Sequence, residues 1–550
     1  MKTLLRLLAL ALLLGADYAP AALAQTVLPA KRWDRRFGGT YYDGLVSAIP
    51  TADGGYLLLG FSASPTGGDK SQPIIGTLGD FWVVKLDAAG TRQWDRTIGG
   101  LGEDMPERAI QTPDGSFVLV GSTSSGPGND VSQPGRGFTD YWMVKLDATG
   151  TRLWDRRFGG SGTDQLADGI QTADGGFLLL GTSDSGAGDD KTQASQGGED
   201  YWLVKTDATG TKQWDRRFGG AGSDGAACVR QTPDGGFLLG GTSSSTVSGD
   251  KTQPLTPGSL SPDALDFWVL KLDAAGTKQW DRTIGGTSDD GCELLALTAD
   301  GGYLVAGSSF SGATGDFTQP PRGQVDCRIV KLSAQGVPQW NACFGTTATE
   351  YPTDLIATAE GGFLLLLSTN GGADGDKSQP SLGGSSDYWM VKLNAAGTKQ
   401  WDQTLGGSGE DKPVSIQQLA DGGFFVAGSS NSGISGDKSQ ASWGEEDYWV
   451  LRLGPAGPLS NTAPSWAAEL SIYPNPAHET CTVKLPSSLS TSSCTISVLD
   501  ILGRPLSKQA VTAAGRREVV LPLHGLAAGS YIVRVEAATG SVAHKKLTIR

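Results

Sequence analysis

A seven-bladed β-propeller closed by its own N-terminal strand, with a small β-sandwich after it, is the all-β architecture that three features of this sequence predict. The phrase Trp-Asp-Arg-Arg-Phe-Gly-Gly at Trp33 returns, with small changes, at Trp94, Trp154, Trp214, Trp280, Trp340 and Trp401, spaced 61, 60, 60, 66, 60 and 61 residues apart. A fixed period of this kind marks units that bury their apolar faces only against their neighbours. Within each period, apolar runs of period two alternate with turn formers, the pattern of short antiparallel strands. From Leu470 onward the composition changes: that segment carries about +5, so the acidic excess behind the total of −14 lies in the repeats.

Residues 1–24 read as a signal peptide. Lys2 and Arg6 flank an apolar run from Leu4 to Ala16, and Ala22-Leu23-Ala24 makes a small-residue cleavage site before Gln25. No later stretch reaches the roughly 18 consecutive apolar residues of a spanning helix, so no transmembrane segment is expected. The propeller is assigned to residues 25–454. The Pro- and Gly-rich stretch 455–469 reads as a linker, and 470–550 as the second domain.

One repeat illustrates the blade. Arg108 to Thr112 is a first strand, Pro113-Asp114-Gly115 a turn, Phe117 to Gly121 a second strand. A long polar loop leads to a third strand, Tyr141 to Leu146, and the turn Asp147-Ala148-Thr149-Gly150 to a fourth, Arg152 to Phe158. Counted this way, the chain starts on a lone fourth strand, Arg32 to Phe37, and its last unit stops after a third, Tyr448 to Leu453. Pairing the two completes a seventh blade and removes both open edges.

Six cysteines in an exported chain suggest disulfides. A three-residue loop closing the hairpin after the third strand sets Cys327 opposite Cys343, a cross-strand pair. Cys228 with Cys292 and Cys481 with Cys494 are left without a geometric argument, and free buried thiols are the alternative.

Three carboxylate sets recur. Four residues after each Gly-Gly stand Asp43, Asp104, Asp164, Asp224, Asp290, Glu350 and Asp411. The long loops carry Asp69, Asp130, Asp190, Asp250, Asp316, Asp376 and Asp437, and the third strands are preceded by Asp80, Asp140, Asp200, Asp266, Asp326, Asp387 and Asp447. Propeller connections of these kinds emerge on one face, so two of the three sets should crowd one rim with the third at its border, and the first two are candidates for a ligand or calcium rim. The alternative is that they satisfy backbone donors in tight turns, and the spacing lacks the Asp-x-Asp-x-Asp of a calcium loop. Trp82, Trp142, Trp202, Trp268, Trp389 and Trp449, replaced once by Arg328, read as packing between blades. Trp443 falls off the repeat pattern in the last long loop and is a candidate contact residue.

No histidine occurs between Gln25 and Pro464, which excludes Ser-His-Asp and Cys-His chemistry and histidine metal sites from the repeats. No glycine-rich phrase has the form of a phosphate loop. The acidic balance disfavours nucleic acid as a partner. No catalytic residue and no cofactor is assigned, and calcium is the single metal considered. The expected function is an exported binding or adhesion module for glycan or protein, the alternative a carboxylate-based polysaccharide hydrolase.

The segment from 470 alternates in strand fashion at Leu470 to Tyr473, Thr480 to Leu485, Thr495 to Leu499, Arg517 to Pro522, Tyr531 to Glu536 and Ala543 to Ile549. Its motifs are Tyr473-Pro474-Asn475-Pro476, Val498-Leu499-Asp500-Ile501-Leu502-Gly503-Arg504, Gly529-Ser530-Tyr531 and Lys545-Lys546. In this order they resemble the type A C-terminal sorting domain of the bacterial type IX secretion system. The resemblance implies a Bacteroidetes source and passage from the periplasm across the outer membrane by the type IX machinery. It also implies release or attachment to surface lipopolysaccharide, with the motif residues serving recognition and fold.

Overall fold

The computed structural model describes residues 26–258, 264–458, 469–486, 489, 494–499, 505–511, 517–537 and 542–550. Among them every regular element is a β-strand, and they form two compact units, Leu28–Ala456 and Thr26–Val27 with Gly457–Arg550. The expected signal peptide and most of the expected linker lie outside the described residues.

In the larger unit, four consecutive strands make one antiparallel sheet and the arrangement repeats. Asp43–Pro50, Tyr56–Ser62, Asp80–Leu86 and Arg92–Ile98 form the first sheet, and the next sheets begin at Asp104, Asp164, Asp224, Asp290 and Glu350. The last sheet joins Asp411–Gln418, Phe424–Ser430 and Asp447–Leu453 to Lys31–Phe37, the strand from the other end of the unit. That ladder runs from Lys31 opposite Leu453 to Phe37 opposite Tyr448.

Middle strands are buried on both faces because sheet stacks on sheet: Leu57, Leu58 and Leu59 are all inaccessible to solvent. Phe37, Tyr448 and Val450 of the last sheet share one buried cluster with Leu45, Leu58 and Trp82 of the first. The third-strand tryptophans fill the space between sheets, and each indole N–H donates to the Asp of its own Trp-Asp phrase, as Trp82 does to Asp95 at 3.1 Å. The Trp of the phrase packs on the neighbouring sheet: Gly150 has φ 81° and a Cβ there would lie 3.0 Å from the Trp94 ring. Both constraints at that turn require glycine.

The first strands begin four residues earlier than the sequence pattern indicates. In the sheet starting at Asp104, Pro106 faces Gly121 and Arg108 faces Val120, so Glu107 is an unpaired bulge residue. The bulge recurs in the other sheets and breaks the period-two signal there.

A second bulge overturns the expected Cys327–Cys343 disulfide. Leu332 faces Pro338 but Lys331 faces Trp340, which inserts Gln339 and shifts the rest of the hairpin by one residue. Cys327 therefore faces Phe344, and Cys343 faces Arg328. A one-residue slip moves a side chain to the opposite face of the sheet, and both thiols are free.

The smaller unit holds a three-stranded sheet, Ser471–Tyr473, Thr480–Lys484 and Glu518–Pro522. Beside it is a four-stranded one in the order Pro505–Val511, Cys494–Leu499, Gly529–Ala537 and Val542–Ile549. Cys481, Val483 and Val519 of one share a core with Ile496, Val533 and Leu547 of the other. Pro505–Val511 is absent from the sequence reading. It is an edge strand with Leu506 to Ala510 exposed, so it carries no alternating apolar signal.

Candidate functional site

All three carboxylate sets meet at one end of the strands, where the long loops and the connections between sheets emerge. Asp104 accepts the Gly100 N–H at 2.7 Å and the Ser125 hydroxyl at 3.0 Å, and the same contacts recur at the other Asp of the set from Asp43 to Asp411, while Glu350 instead accepts the Thr346 N–H at 2.8 Å and the Thr346 and Thr369 hydroxyls at 2.6 and 2.7 Å. Asp130 and Gly99 clasp each other, Asp130 N–H to the Gly99 carbonyl at 3.1 Å and Gly99 N–H to the Asp130 carboxylate at 3.3 Å. The third set closes the loop itself, as where Asp140 accepts the Arg136 N–H at 3.0 Å. Each set therefore ties backbone donors. The glycines of the phrase follow from this: a Cβ on Gly99 would lie 2.1 Å from an Asp80 oxygen and 2.7 Å from Asp104.

Two buried carboxyls converging at each junction need a counter-charge, and the long loop carries one. The Lys191 ammonium is buried and donates to Ser183 Oγ and Ser195 Oγ, both at 2.6 Å, and to the Ser185 carbonyl at 3.0 Å. Lys70, Lys251, Lys377 and Lys438 occupy the same place. Two loops lack the lysine and show how the site is otherwise filled. Where Val131 stands, Arg157 turns inward from the fourth strand and bonds Asp140 at 2.5 Å with the Ser125 and Thr123 carbonyls at 2.5 and 3.2 Å. Where Phe317 stands, Arg328 replaces the usual Trp, lies 4.9 Å from the Phe317 ring and donates to the carbonyls of Ser311 and Gln319 at 2.8 and 2.7 Å. The arginines at the Arg157 position in lysine-bearing units, Arg36 and Arg217, instead bond Asp69 and Asp250 at 2.8 Å. The cation facing these carboxylates is thus part of the chain, and among the described residues no Asp, Glu, Cys or His cluster has the geometry of a metal site.

Burial pushes Asp80 up to about 7, and Asp200, Asp290, Asp387 and Asp447 up to about 6. The folded chain therefore holds more protons than the unfolded one between about pH 4 and 7, and stability is lost as pH rises through that window. The thermal midpoint is expected to fall from pH 5 to pH 7.5; a midpoint that climbs over this range would contradict the assignment.

Trp443 is 57 % exposed but held in place at the junction of the last and first sheets. Its indole N–H donates to Asp69 at 3.2 Å and the Arg36 guanidinium lies 4.5 Å from its ring centroid. Around this end of the unit Leu101, Phe138, Val247, Phe310 and Ile434 are 54–78 % exposed. None of these five was singled out from the sequence, since a lone apolar residue in a loop carries no periodic signal.

The bulged first strands line a partly open cavity of about 220 Å³, where charged residues break the repeat. Arg108 bonds Asp168 at 2.6 Å, Arg230 bonds the same carboxylate at 3.0 Å, and Asp168 also accepts the Val229 N–H of the next sheet at 3.0 Å. Asp354 accepts the Ile416 N–H at 2.8 Å in the same manner. Glu107 and Glu293, at bulge positions, are pushed up by burial to about 8 and about 7. The sequence signal for this site is present in charges on first strands: Glu107 and Glu293 stand where other repeats carry Val46, Ala167, Ala227, Thr353 or Val414, and Arg108, Asp168 and Asp354 where others carry Ser47, Cys228, Leu294 or Ser415.

In the smaller unit Asn475 clamps its loop to the last strand, accepting the Thr548 N–H at 2.9 Å and donating to the Lys546 carbonyl at 2.7 Å. The Tyr531 hydroxyl donates to the Ala527 carbonyl at 2.7 Å, four residues back. Gly529 opens the strand that carries Tyr531, paired with the strand that holds Lys545 and Lys546. Asp500 and Gly503 lie outside the described residues, while Pro474 and Pro476 flank the clamped Asn475. Residues 471–550 match the secretion system C-terminal sorting domain. The sorting domain implies export to the cell surface or the medium, and no helix among the described residues is long and apolar enough to cross a membrane.

The rest of the chain has distant likenesses. Regulatory protein FlaEY of Caulobacter vibrioides is 25 % identical over 262 residues, which is 46 % of this chain and 26 % of that protein's length. A protein of unknown function from Dyadobacter fermentans aligns over 77 % of this chain and 99 % of its own, at 13 % identity and a TM-score of 0.38. YCF48 bound to D1 peptide aligns over 79 % and 99 %, at 10 % identity and a TM-score of 0.37. Puromycin hydrolase aligns over 80 % of this chain and 57 % of its own, at 14 % identity and a TM-score of 0.34. Likeness at this level assigns no activity.

Proposed function

We propose that this chain is an exported binding module in which residues 25–454 form a closed seven-bladed β-propeller. A linker at 455–469 joins it to a sorting β-sandwich at 470–550, and its long-loop face takes a glycan or protein ligand. Support for closure comes from the ladder between Lys31–Phe37 and Asp447–Leu453, with the cluster shared by the last and first sheets. Passage depends on the type IX machinery, after which the propeller is released or attached to lipopolysaccharide.

The observation that carries the binding reading is the uneven placement of exposed apolar side chains. Leu101, Phe138, Val247, Phe310, Ile434 and Trp443 are all on the long-loop end, whereas the opposite end is built from turns such as Asp174-Gly175 and Asp147-Ala148-Thr149-Gly150, with Leu153 and Val337 as the exposed apolar residues near it. Exposed apolar side chains concentrated on one face of a solvated acidic protein mark that face as a contact surface. Trp443, held by Asp69 and Arg36, offers an aromatic ring at low entropic cost.

The test is binding of the purified propeller to a glycan array and to surface polysaccharide of the producing cell, for wild type and an I434S/W443A variant. A loss of at least about tenfold in the variant is expected, as removing central anchors costs more than 1 kcal/mol each. Equal binding by the variant would overturn the reading. A second reading, polysaccharide hydrolysis, is favoured by the raised carboxyls of Glu107 and Glu293 in the cavity, since an acid held protonated near neutral pH can protonate a leaving group. Release of reducing ends by wild type, abolished in Glu107→Gln or Glu293→Gln, would establish that reading instead.

A further inference from the structure

Three departures from the repeat coincide at the junction between the sheets that begin at Asp224 and Asp290. Cys228 stands where the other first strands carry Ser47, Arg108, Asp168, Leu294, Asp354 or Ser415. Cys292 stands where they carry Leu45, Pro106, Leu166, Ala226, Pro352 or Pro413. Gly240, opposite Cys228, replaces Leu59, Val120, Leu180, Ala306, Leu366 or Ala427. The missing side chain is the space the two sulfurs occupy: a Cβ on Gly240 would lie 2.9 Å from Cys292 Sγ and 3.2 Å from Cys228 Sγ. Cys228 and Cys292 are 3 % and 1 % exposed, in a cluster with Leu238, Val269, Leu295 and Val305. Cys228 Sγ also lies 3.8 Å from the Gly240 carbonyl, and both residues are thiols in this structure.

The sorting domain sends this chain through the periplasm, a compartment in which thiols are oxidised. We propose that Cys228 and Cys292 are joined as a disulfide in the exported protein, a covalent staple between neighbouring sheets. In the reaction one thiolate attacks the disulfide of a periplasmic dithiol–disulfide oxidant, and the second thiolate displaces the oxidant's sulfur from the mixed disulfide. The two cysteines lose two protons and two electrons, and the oxidant leaves as a dithiol. Once folded, both sulfurs are almost wholly buried, Cys228 at the edge of the cavity of about 220 Å³, and the neighbouring Cys228 thiol together with burial pushes the Cys292 thiol well above its ordinary range, so the exchange takes place before the two sheets close on it. The staple closes a loop of about 64 residues, a length at which a cross-link restricts the unfolded chain substantially. Cys327 and Cys343, on opposite faces of their sheet, remain thiols.

The experiment is peptide mapping of wild-type protein recovered from outside the cell, alkylated during denaturation without reductant. A peptide pair linked through Cys228 and Cys292, lost on reduction, is the expected result, together with a thermal midpoint several degrees higher than that of the reduced protein. Alkylation of both cysteines in the exported protein would overturn the proposal, and so would a link from either one to a different cysteine. Because the mapping uses wild type, a Cys228→Ser variant that failed to fold would not obscure the outcome.

Discussion

Removal of residues 25–39 is expected to lower the thermal midpoint by about 10 °C or more, since several kcal/mol of packing are lost at once. The strand Lys31–Phe37 supplies the outer edge of the last sheet. Trp33 packs edge-on to Tyr56 and Phe425 with ring centroids at 5.9 and 6.4 Å. Asp34 accepts the Trp449 indole N–H at 3.2 Å and the Ser439 N–H at 2.8 Å, two donors that would lose their acceptor inside the protein. Arg36 reaches across to Asp69, so the truncation also cuts the tie to the first sheet. The exposed edge of Asp447–Leu453 would in addition invite pairing between chains. Thermal scans with light scattering check both effects, and a truncated protein with an unchanged curve would refute closure.

Arg157→Ala is expected to cost about 3–5 kcal/mol, the range for removing one partner of a buried ion pair. Arg217→Ala, at the same repeat position, is expected to cost under about 1 kcal/mol beyond lost packing, the range for partly exposed pairs. The difference lies in the neighbouring loop. Arg157 is 2 % exposed and is the cation for a loop with Val131, whereas Arg217 bonds Asp250, which is about one-third exposed, while Lys191 fills the interior of its own loop. Transplanting the lysine solution tests the logic directly. The first sheet uses Lys70 with Thr97, so V131K combined with R157T should recover most of the stability lost in Arg157→Ala. Denaturant titrations of the four proteins decide the matter; equal losses in Arg157→Ala and Arg217→Ala would refute the role given to Arg157.

Much of the framework is legible in the residues alone. The period of the Trp-Asp phrase, the alternation within it and the lone strand at Trp33 are local signals, and strands and turns follow from local chemistry. The role of the carboxylates is also half legible, because Asp, Gly, Ser and Thr at loop ends are turn residues wherever they occur. Less could be read where a structure depends on register. The insertion of Gln339 is a single extra residue with no compositional mark, and it alone separates Cys327 from Cys343. The exchange of Val131 for a lysine and of Arg328 for a tryptophan looks like random drift in the sequence. In three dimensions each departure is matched by a partner more than ten residues away, Arg157 or Phe317, in the same sheet or loop.

Periodicity and short motifs are properties of neighbouring residues, so the repeat, the all-β class and the secretion address in the last 80 residues can be read along the chain. Which side chains share a space is set in three dimensions. Glu107, Arg108, Asp168, Arg230, Glu293 and Asp354 come from five different repeats into one region, and Cys228 meets Cys292 in the gap left by Gly240. Contacts of that kind arise between sheets, where each bulge sets the direction of a side chain, and no window along the chain contains both partners.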